Sequence, residues 1–373
     1  MVSPTMSESE DPIDPLAPRR NPGLVGHAAA ERMLADTQRA GRLPHAILIG
    51  GPRGIGKATL AFRFARWLLA GGGKGEGEAS LFGDAPVAHD LFLDPDSPVF
   101  RRVAASGHAD LMTVERGWDK ARKRLRGEIV VDDVREISHF LHLTSAEGGW
   151  RIVIIDGADE MNRNGANALL KILEEPPHGT VLLLVCHAPG RLLPTIRSRC
   201  RRLILEPLAL DEVRSLILAH EPGMPAADVA ALAELSGGSI GRALDLYRAG
   251  GLDLYRKLIG LLTQLPRPDV AALHQLADSL ARADAADAYH TFVDLLLNWL
   301  EHNVTTLAAG DDGAEIVPGE AALRARLAET ARLDRWVDVW DNLRGGFART
   351  DDLTLDRKQA VIEAFMALAA PFG

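Results

Sequence analysis

The sequence predicts an α/β domain built on a parallel sheet, followed by a long all-helical region. Three observations carry that expectation. A short apolar strand at residues 46–49 runs into a glycine-rich loop and then a helix. Two further apolar runs, at residues 151–156 and 181–186, alternate with helical stretches. After about Glu206, strand-like runs give way to alanine and leucine at helical spacing. Strands that alternate with helices form a parallel sheet covered on both faces, so they read as continuous apolar runs.

Taken in order, residues 1–22 are rich in Ser, Glu, Asp and Pro and are expected to be disordered. Ala30, Met33 and Leu34 recur at helical spacing within 27–39, and Gly41 breaks that helix. Residues 57–69 form the next helix, with Leu60, Phe64, Trp67 and Leu68 on one face. Residues 71–98 are rich in Gly, Asp and Pro and read as a long loop or insertion. Asp132 is placed to cap a helix that runs to about Leu143. A helix over 164–173 stops at Pro176-Pro177. Beyond the sheet, helices are expected over 211–220, 226–235, 239–247, 270–281, 285–307, 321–343 and 356–369, with Pro266 and Pro268 as punctuation.

Bulk composition narrows the function classes. The chain has 373 residues, 47% of them apolar and 25% charged, which suits two or three globular domains. A net charge of -9 argues against a free-standing, strongly basic nucleic-acid binder. The two cysteines, Cys186 and Cys200, make neither a disulfide framework nor a four-cysteine zinc site. The polar, proline-rich start holds no signal-peptide core, and no apolar run is long enough to span a bilayer. A soluble cytoplasmic protein without membrane association is expected.

Gly51-Pro52-Arg53-Gly54-Ile55-Gly56-Lys57-Ala58-Thr59 nearly fits the phosphate-loop pattern. Glycines turn backbone N–H groups toward phosphate oxygens, a lysine reaches the outer phosphates, and a hydroxyl after the lysine binds magnesium. That last position is Ala58, and Thr59 comes one residue late, a rotation of about 100° on a helix. The strand at 151–156 ends in Asp156, the usual place for a metal-binding aspartate. Hydrolysis in this class uses a glutamate directly after it to polarise water, and Gly157 stands there instead. Asp159 and Glu160 read as solvated or capping carboxylates rather than substitutes. The degenerate nucleotide site is therefore Gly51, Gly54, Gly56, Lys57, Thr59 and Asp156.

Four motifs in order, Arg42-Leu43-Pro44-His45-Ala46, the glycine loop, the run from Asn167 to Pro177 and Thr195-Ile196-Arg197-Ser198-Arg199-Cys200, resemble the clamp-loader branch of AAA+ proteins. The resemblance covers residues 23–247. A weaker likeness, Leu353-Thr354-Leu355-Asp356-Arg357-Lys358-Gln359-Ala360, is similar to the last helix of delta-prime subunits of bacterial DNA polymerase III. It implies an AAA+ P-loop domain at 23–205, a helical lid at 206–265 and a helical collar for oligomerisation at 266–373. Motor subunits of the gamma/tau type place a sensor arginine where this chain has Gly241. Ala58, Gly157 and Gly241 together favour a delta-prime-like stator over a gamma/tau-type ATPase, the alternative. A non-replicative AAA+ adaptor is a third, more distant reading. Arg242, one position late, reads as a surface helix arginine.

The resemblance implies that Arg199 acts in trans on ATP-Mg held by a neighbouring subunit, where a planar guanidinium stabilises charge on the γ-phosphate. The bland alternative is a surface ion pair. Arg197, Arg201 and Arg202 are expected to serve structure or solubility. No tightly bound cofactor is implied, with weak ATP binding left open. No intrinsic ATPase is expected, although the chain would be a component of the DNA polymerase III holoenzyme. Implied partners are gamma/tau and delta subunits in a five-membered ring, the beta sliding clamp, and primed DNA through the complex. Many relatives carry a four-cysteine zinc module, whereas residues 71–110 here hold no cysteine. His89, Asp90, Asp94, Asp96 and His108 do not form a compact ligand set, so no metal is expected. The densest basic cluster, Lys120, Arg122, Lys123, Arg124 and Arg126, reads as a solvated loop ahead of a contact to phosphates.

Overall fold

The computed structural model describes residues 17–72, 91–119, 124–310 and 314–372. They fall into two compact units that divide between Ala209 and Leu210. Residues of the expected lid and of the expected collar lie together in the second unit.

The first unit runs α1 (Ala28–Arg39), β1 (Ala46–Gly50), α2 (Lys57–Leu69), α3 (Pro98–Ala104), β2 (Leu111–Val114), β3 (Trp118–Asp119), β4 (Arg124–Leu125), α4 (Val131–His142), β5 (Arg151–Asp156), α5 (Arg163–Glu174), β6 (Thr180–Cys186), α6 (Pro194–Arg199) and β7 (Arg201–Ile204). Five parallel strands form a sheet in the order β2-β5-β6-β1-β7. Successive side chains along a strand point to opposite faces. Ile47, Ile49, Ile152, Ile154, Leu183 and Val185 accordingly pack with α1 and α2. Leu48, Val153, Ile155, Leu182 and Leu184 pack with α4 and α5 on the other face. This is the predicted parallel sheet covered on both sides.

Six elements of this unit go beyond the sequence expectation: α3, β2, the β3 and β4 strands of a hairpin, α6 and β7. β2 and β7 are the sheet edges, where half-burial admits Thr113, Arg201 and Arg202 and hides the apolar signal. The cap of α4 also differs. Asp133 Oδ2, not Asp132, accepts from the Val130 N–H at 3.1 Å, while Asp132 pairs with Arg135 at 2.9 Å.

The expected disorder of 1–22 is corrected for its last six residues; residues 1–16 lie outside the described residues. Two arginines of α2 hold the segment down. Arg66 donates to the Arg19 and Asn21 carbonyls at 2.8 and 2.7 Å, and Arg63 donates to the Pro22 carbonyl and pairs with Glu31 at 2.6 Å. Both guanidiniums are buried, so their N–H groups are turned to main-chain oxygens and, for Arg63, to the Glu31 carboxylate. Burial, then the neighbouring Arg63 charge, lowers the Arg66 pKa to about 10.

The second unit is all helical: α7 (Leu210–His220), α8 (Ala226–Leu235), α9 (Ile240–Arg248), α10 (Gly251–Leu262), α11 (Val270–Leu280), α12 (Ala286–Ala309), α13 (Glu320–Thr330), α14 (Leu333–Asp352) and α15 (Arg357–Ala369). Helix α10 was not anticipated. The single helix expected over 321–343 is two, because Ala331 and Arg332 are extended, at φ -149° and -68° with ψ near 155°. Leu295, Leu296, Trp299, Leu300 and Trp336 are buried inside the unit. The Trp336 indole N–H donates to the Leu327 carbonyl at 3.1 Å, across the break.

Candidate functional site

The glycine loop joins β1 to α2 at the carboxyl end of the sheet, where parallel α/β folds place their ligand crevice. Gly51, Gly54 and Gly56 have φ of 144°, 76° and 100°, values that L side chains rarely adopt. A Cβ on Gly51 would run into the Leu205 carbonyl oxygen. The loop is pinned from α1 by His27, whose Nε2–H donates to the Ile55 carbonyl at 2.7 Å. The N-terminus of α2 follows the loop directly, the end of a helix that favours an anion.

Lys57 is buried and donates to the Pro52 carbonyl of its own loop. Burial lowers its pKa to about 8, against the pull of Asp156 and Asp159. Asp156 ends β5, and burial, with Glu115 adding to it, raises its pKa against the attraction of Lys57. Lys57 and the loop backbone offer the positive charge and N–H donors that suit a phosphate chain; the Asp156 carboxyl suits a cation instead. Ala58 brings no oxygen for magnesium, and Thr59 is buried on α2.

Gly157 is more than a missing carboxylate. Its φ is 81°, and a Cβ there would lie 2.8 Å from Glu160 Oε2. The two acids that follow are committed elsewhere. Asp159 accepts from the His187 and Ala188 amides at 2.8 and 3.0 Å. Burial works to raise its pKa, but these bonds outweigh it and lower the value. Glu160 pairs with Arg53 at 3.0 Å and with Arg116 at 2.9 Å, tying the glycine loop to the second residue after β2.

His187 escaped the sequence reading. It is the first residue after β6, and burial, with Lys57 and Arg53, lowers its pKa to about 4. Its buried Nδ1 has no hydrogen-bond partner. The available signal was position: the residue after a central parallel strand faces the crevice.

Arg199 closes α6 and lies apart from these groups in the hydrogen-bond pattern. Its Nη2 donates to Glu174 Oε1 at 2.8 Å and its Nη1 to the Thr195 carbonyl at 3.1 Å. Side-chain exposures are 36% for Arg199 and 51% for Glu174, so the pair is a surface one. Two motifs separate in sequence thus meet here, the end of α5 and the end of α6. Arg242 departs from expectation. It is half-buried on α9, where burial lowers its pKa against the attraction of Asp294.

Other expected groups are accounted for locally. Asp96 pairs with Arg101 at 2.6 Å, and Asp94 accepts from the Asp96 amide at 2.8 Å. His108 is buried, and its Nδ1 accepts from the Asp110 amide at 3.2 Å. His89 and Asp90 lie outside the described residues, as do Lys120, Arg122 and Lys123. Among the described residues no three His, Cys, Asp or Glu side chains are grouped to hold a metal ion. No described helix is long and apolar enough to cross a membrane.

Comparison with known proteins agrees with this geometry. The family described as DNA polymerase III, delta subunit matches residues 26–209. DNA polymerase III subunit delta' of Pseudomonas aeruginosa is 35% identical over 262 residues, covering 70% of this chain and 73% of that protein. The delta' subunit of Escherichia coli K12 is 29% identical over 305 residues, 81% of this chain and 82% of that one. The gamma/tau subunit of Mycobacterium bovis is 29% identical over 348 residues, which are 91% of this chain and 56% of that protein's length. Identity, coverage and the altered glycine loop converge: the chain belongs to the delta-prime family of DNA polymerase III subunits, clamp-loader proteins with an AAA+ P-loop fold.

Proposed function

We propose that this chain is the stator of its clamp loader, a subunit that does not hydrolyse ATP and presents Arg199 to ATP-Mg on its neighbour. The observation that carries the proposal is Gly157, left-handed and with no room for a Cβ beside Glu160, where a hydrolysing subunit has its glutamate. Ala58 adds a second, independent loss. Arg199 stays on an exposed helix end, where swinging off Glu174 gives up a surface pair and one bond to the Thr195 carbonyl. Its partners in this reading are gamma/tau and delta subunits in a five-membered ring, the beta sliding clamp, and primed DNA through the complex. The work is cytoplasmic, and the loop binds ATP weakly if at all.

One observation favours a gamma/tau-type motor instead: Lys57 and Asp156 are retained beside an intact loop backbone. A single experiment separates the two. The isolated chain and its complex with gamma/tau and delta subunits are assayed for magnesium-dependent ATP turnover. The stator reading expects turnover only in the complex. Turnover by the isolated chain that Lys57→Ala abolishes assigns the motor role.

A further inference from the structure

The β2 edge of the sheet is bordered by a slot. Among the described residues β2 pairs only with β5. The Ile152 N–H donates to the Asp110 carbonyl at 3.0 Å. Met112 and Val114 therefore turn their main-chain groups to β5, and Leu111 and Thr113 turn theirs to the edge. The Leu111 N–H is closed by the His108 carbonyl at 3.1 Å. The Leu111 carbonyl and both main-chain groups of Thr113 have no strand partner among the described residues. A cavity of about 700 Å³ lies along this edge. Phe62 and Val103 line it from the apolar layer on the α1–α2 side of the sheet, and Phe140 lines it from the α4–α5 side. Leu111 and Met112, which pack with opposite layers, both line it as well. The cavity thus continues the sheet, in the place a sixth strand would take between the two layers.

The walls and rim of the slot define its occupant. A strand covered on both faces buries consecutive side chains, so it reads as an apolar run rather than an alternating one. Leu143, just past α4 and 50% exposed, adds apolar surface to the lining. Arg19 pairs with Glu115 at 3.6 Å and donates to Ser106 Oγ, so the Arg19 and Glu115 charges offset each other. Glu136 lines the same cavity, is exposed, and has neither an ion pair nor a hydrogen bond. It complements a basic residue. A second copy of this chain would bring its own β2 edge behind the same two walls, so the two edges could not meet. A single extended chain carries no covering helices and can enter.

We propose that the β2 edge is a docking slot for an extended peptide of a partner protein, apolar at successive positions and with a Lys or Arg where it passes Glu136. The peptide adds a sixth strand. Its main-chain groups pair with those of Leu111 and Thr113, and its side chains enter the two apolar layers. The edge from Leu111 to Glu115 takes about five residues, at roughly 3.3 Å each. The inference goes beyond the stator reading and does not depend on it, since none of these residues belongs to the glycine loop or to α6.

The full-length chain is titrated into a fluorescein-labelled peptide, Lys-Val-Ile-Val-Ile-Lys, and binding is followed by fluorescence anisotropy. The expected result is saturable binding. Peptides N-methylated at one apolar position each should lose about tenfold in affinity at every second position and little in between, because a strand turns alternate N–H groups to its neighbour. Leu143→Asp lowers affinity about tenfold, and Glu136→Lys lowers it by up to about fivefold. Unchanged melting temperatures verify that both variants fold. Hydrogen exchange at the Thr113 amide slows when the peptide is bound. Absence of saturable binding, an equal loss at every N-methylated position, or full affinity in Leu143→Asp overturns the proposal. A Thr113 amide that exchanges as slowly in the free chain as the amides of β5 overturns it too, because the edge is then closed from within the molecule. A dimer in gel filtration that Leu143→Asp dissolves assigns the edge to a second copy, and the proposal falls.

Discussion

Arg199→Ala separates a finger from a surface ion pair, because the two roles differ in magnitude by orders. The structural cost is small. Arg199 and Glu174 are 36% and 51% exposed, and an exposed pair contributes about 0–1 kcal/mol. The α6 helix keeps its Ser198–Thr195 bond at 3.0 Å and the buried Ile196. Stability should therefore fall by less than about 1 kcal/mol, a melting shift of a few degrees at most. A trans finger is worth on the order of 10³ in rate, or about 4 kcal/mol of transition-state stabilisation at the one site that faces it. Other sites of the ring keep their own arginines, so total ATPase falls only in part. Arg199→Lys should rescue poorly, since an ammonium does not reproduce the planar fork. Glu174→Ala is the internal control: it breaks the same ion pair but leaves the guanidinium available, so ATPase is retained. The assay is DNA-stimulated ATPase of complexes whose assembly is verified by gel filtration. Equal rates with wild-type and Arg199→Ala protein in intact complexes would refute the reasoning and leave Arg199 as half of a surface pair.

Three further outcomes are expected. Gly157→Glu combined with Ala58→Ser should not create turnover in the isolated chain, and should destabilise it by about 1–2 kcal/mol, the cost of a left-handed non-glycine residue. Chemical denaturation and a phosphate-release assay check both, and robust turnover by the double variant would show that composition alone limits the site. The Lys57 pKa, lowered to about 8 by burial, makes the folded state lose a proton that the unfolded chain holds up to its ordinary value of 10.5. The unfolded state then binds more protons between about pH 8 and 10.5, so this group's contribution to stability rises with pH across that window. Urea titrations of wild type and Lys57→Met at pH values on either side of 8 should show a rise in the wild type that the variant lacks. In the second unit, Val270, Leu353 and Met366 are each 66% exposed while the tryptophan-rich set is internal. Leu353→Asp with Met366→Asp should leave melting unchanged and weaken complex formation in gel filtration, whereas normal assembly would remove this surface from the collar reading.

Much of the α/β unit was legible because its signals are local. Gly51, Gly54 and Gly56 fix the turn into α2, and Asp156 ends an apolar strand, whatever lies elsewhere in the chain. The strands at 151–156 and 181–186 are central, so both faces are buried and the run is continuous. The edge strands β2 and β7 carry polar residues for the opposite reason. The break at Ala331 was invisible because no proline or glycine marks it; the Trp336 contact to the Leu327 carbonyl accompanies it only in the folded bundle.

The sequence by itself determined that a phosphate loop is present and that two of its chemical parts are missing, at Ala58 and Gly157. Those are statements about which atoms exist, and residue identity settles them. Only the tertiary structure decided what the remaining groups do. Asp159 is taken by amides 28 and 29 residues away, Glu160 by Arg53, 107 residues before it, and Arg199 by Glu174. It also decided that Arg66 orders residues 17–22. Each depends on distance and burial between segments far apart in the chain, and those are set by how the sheet and its helices pack, which no local pattern encodes.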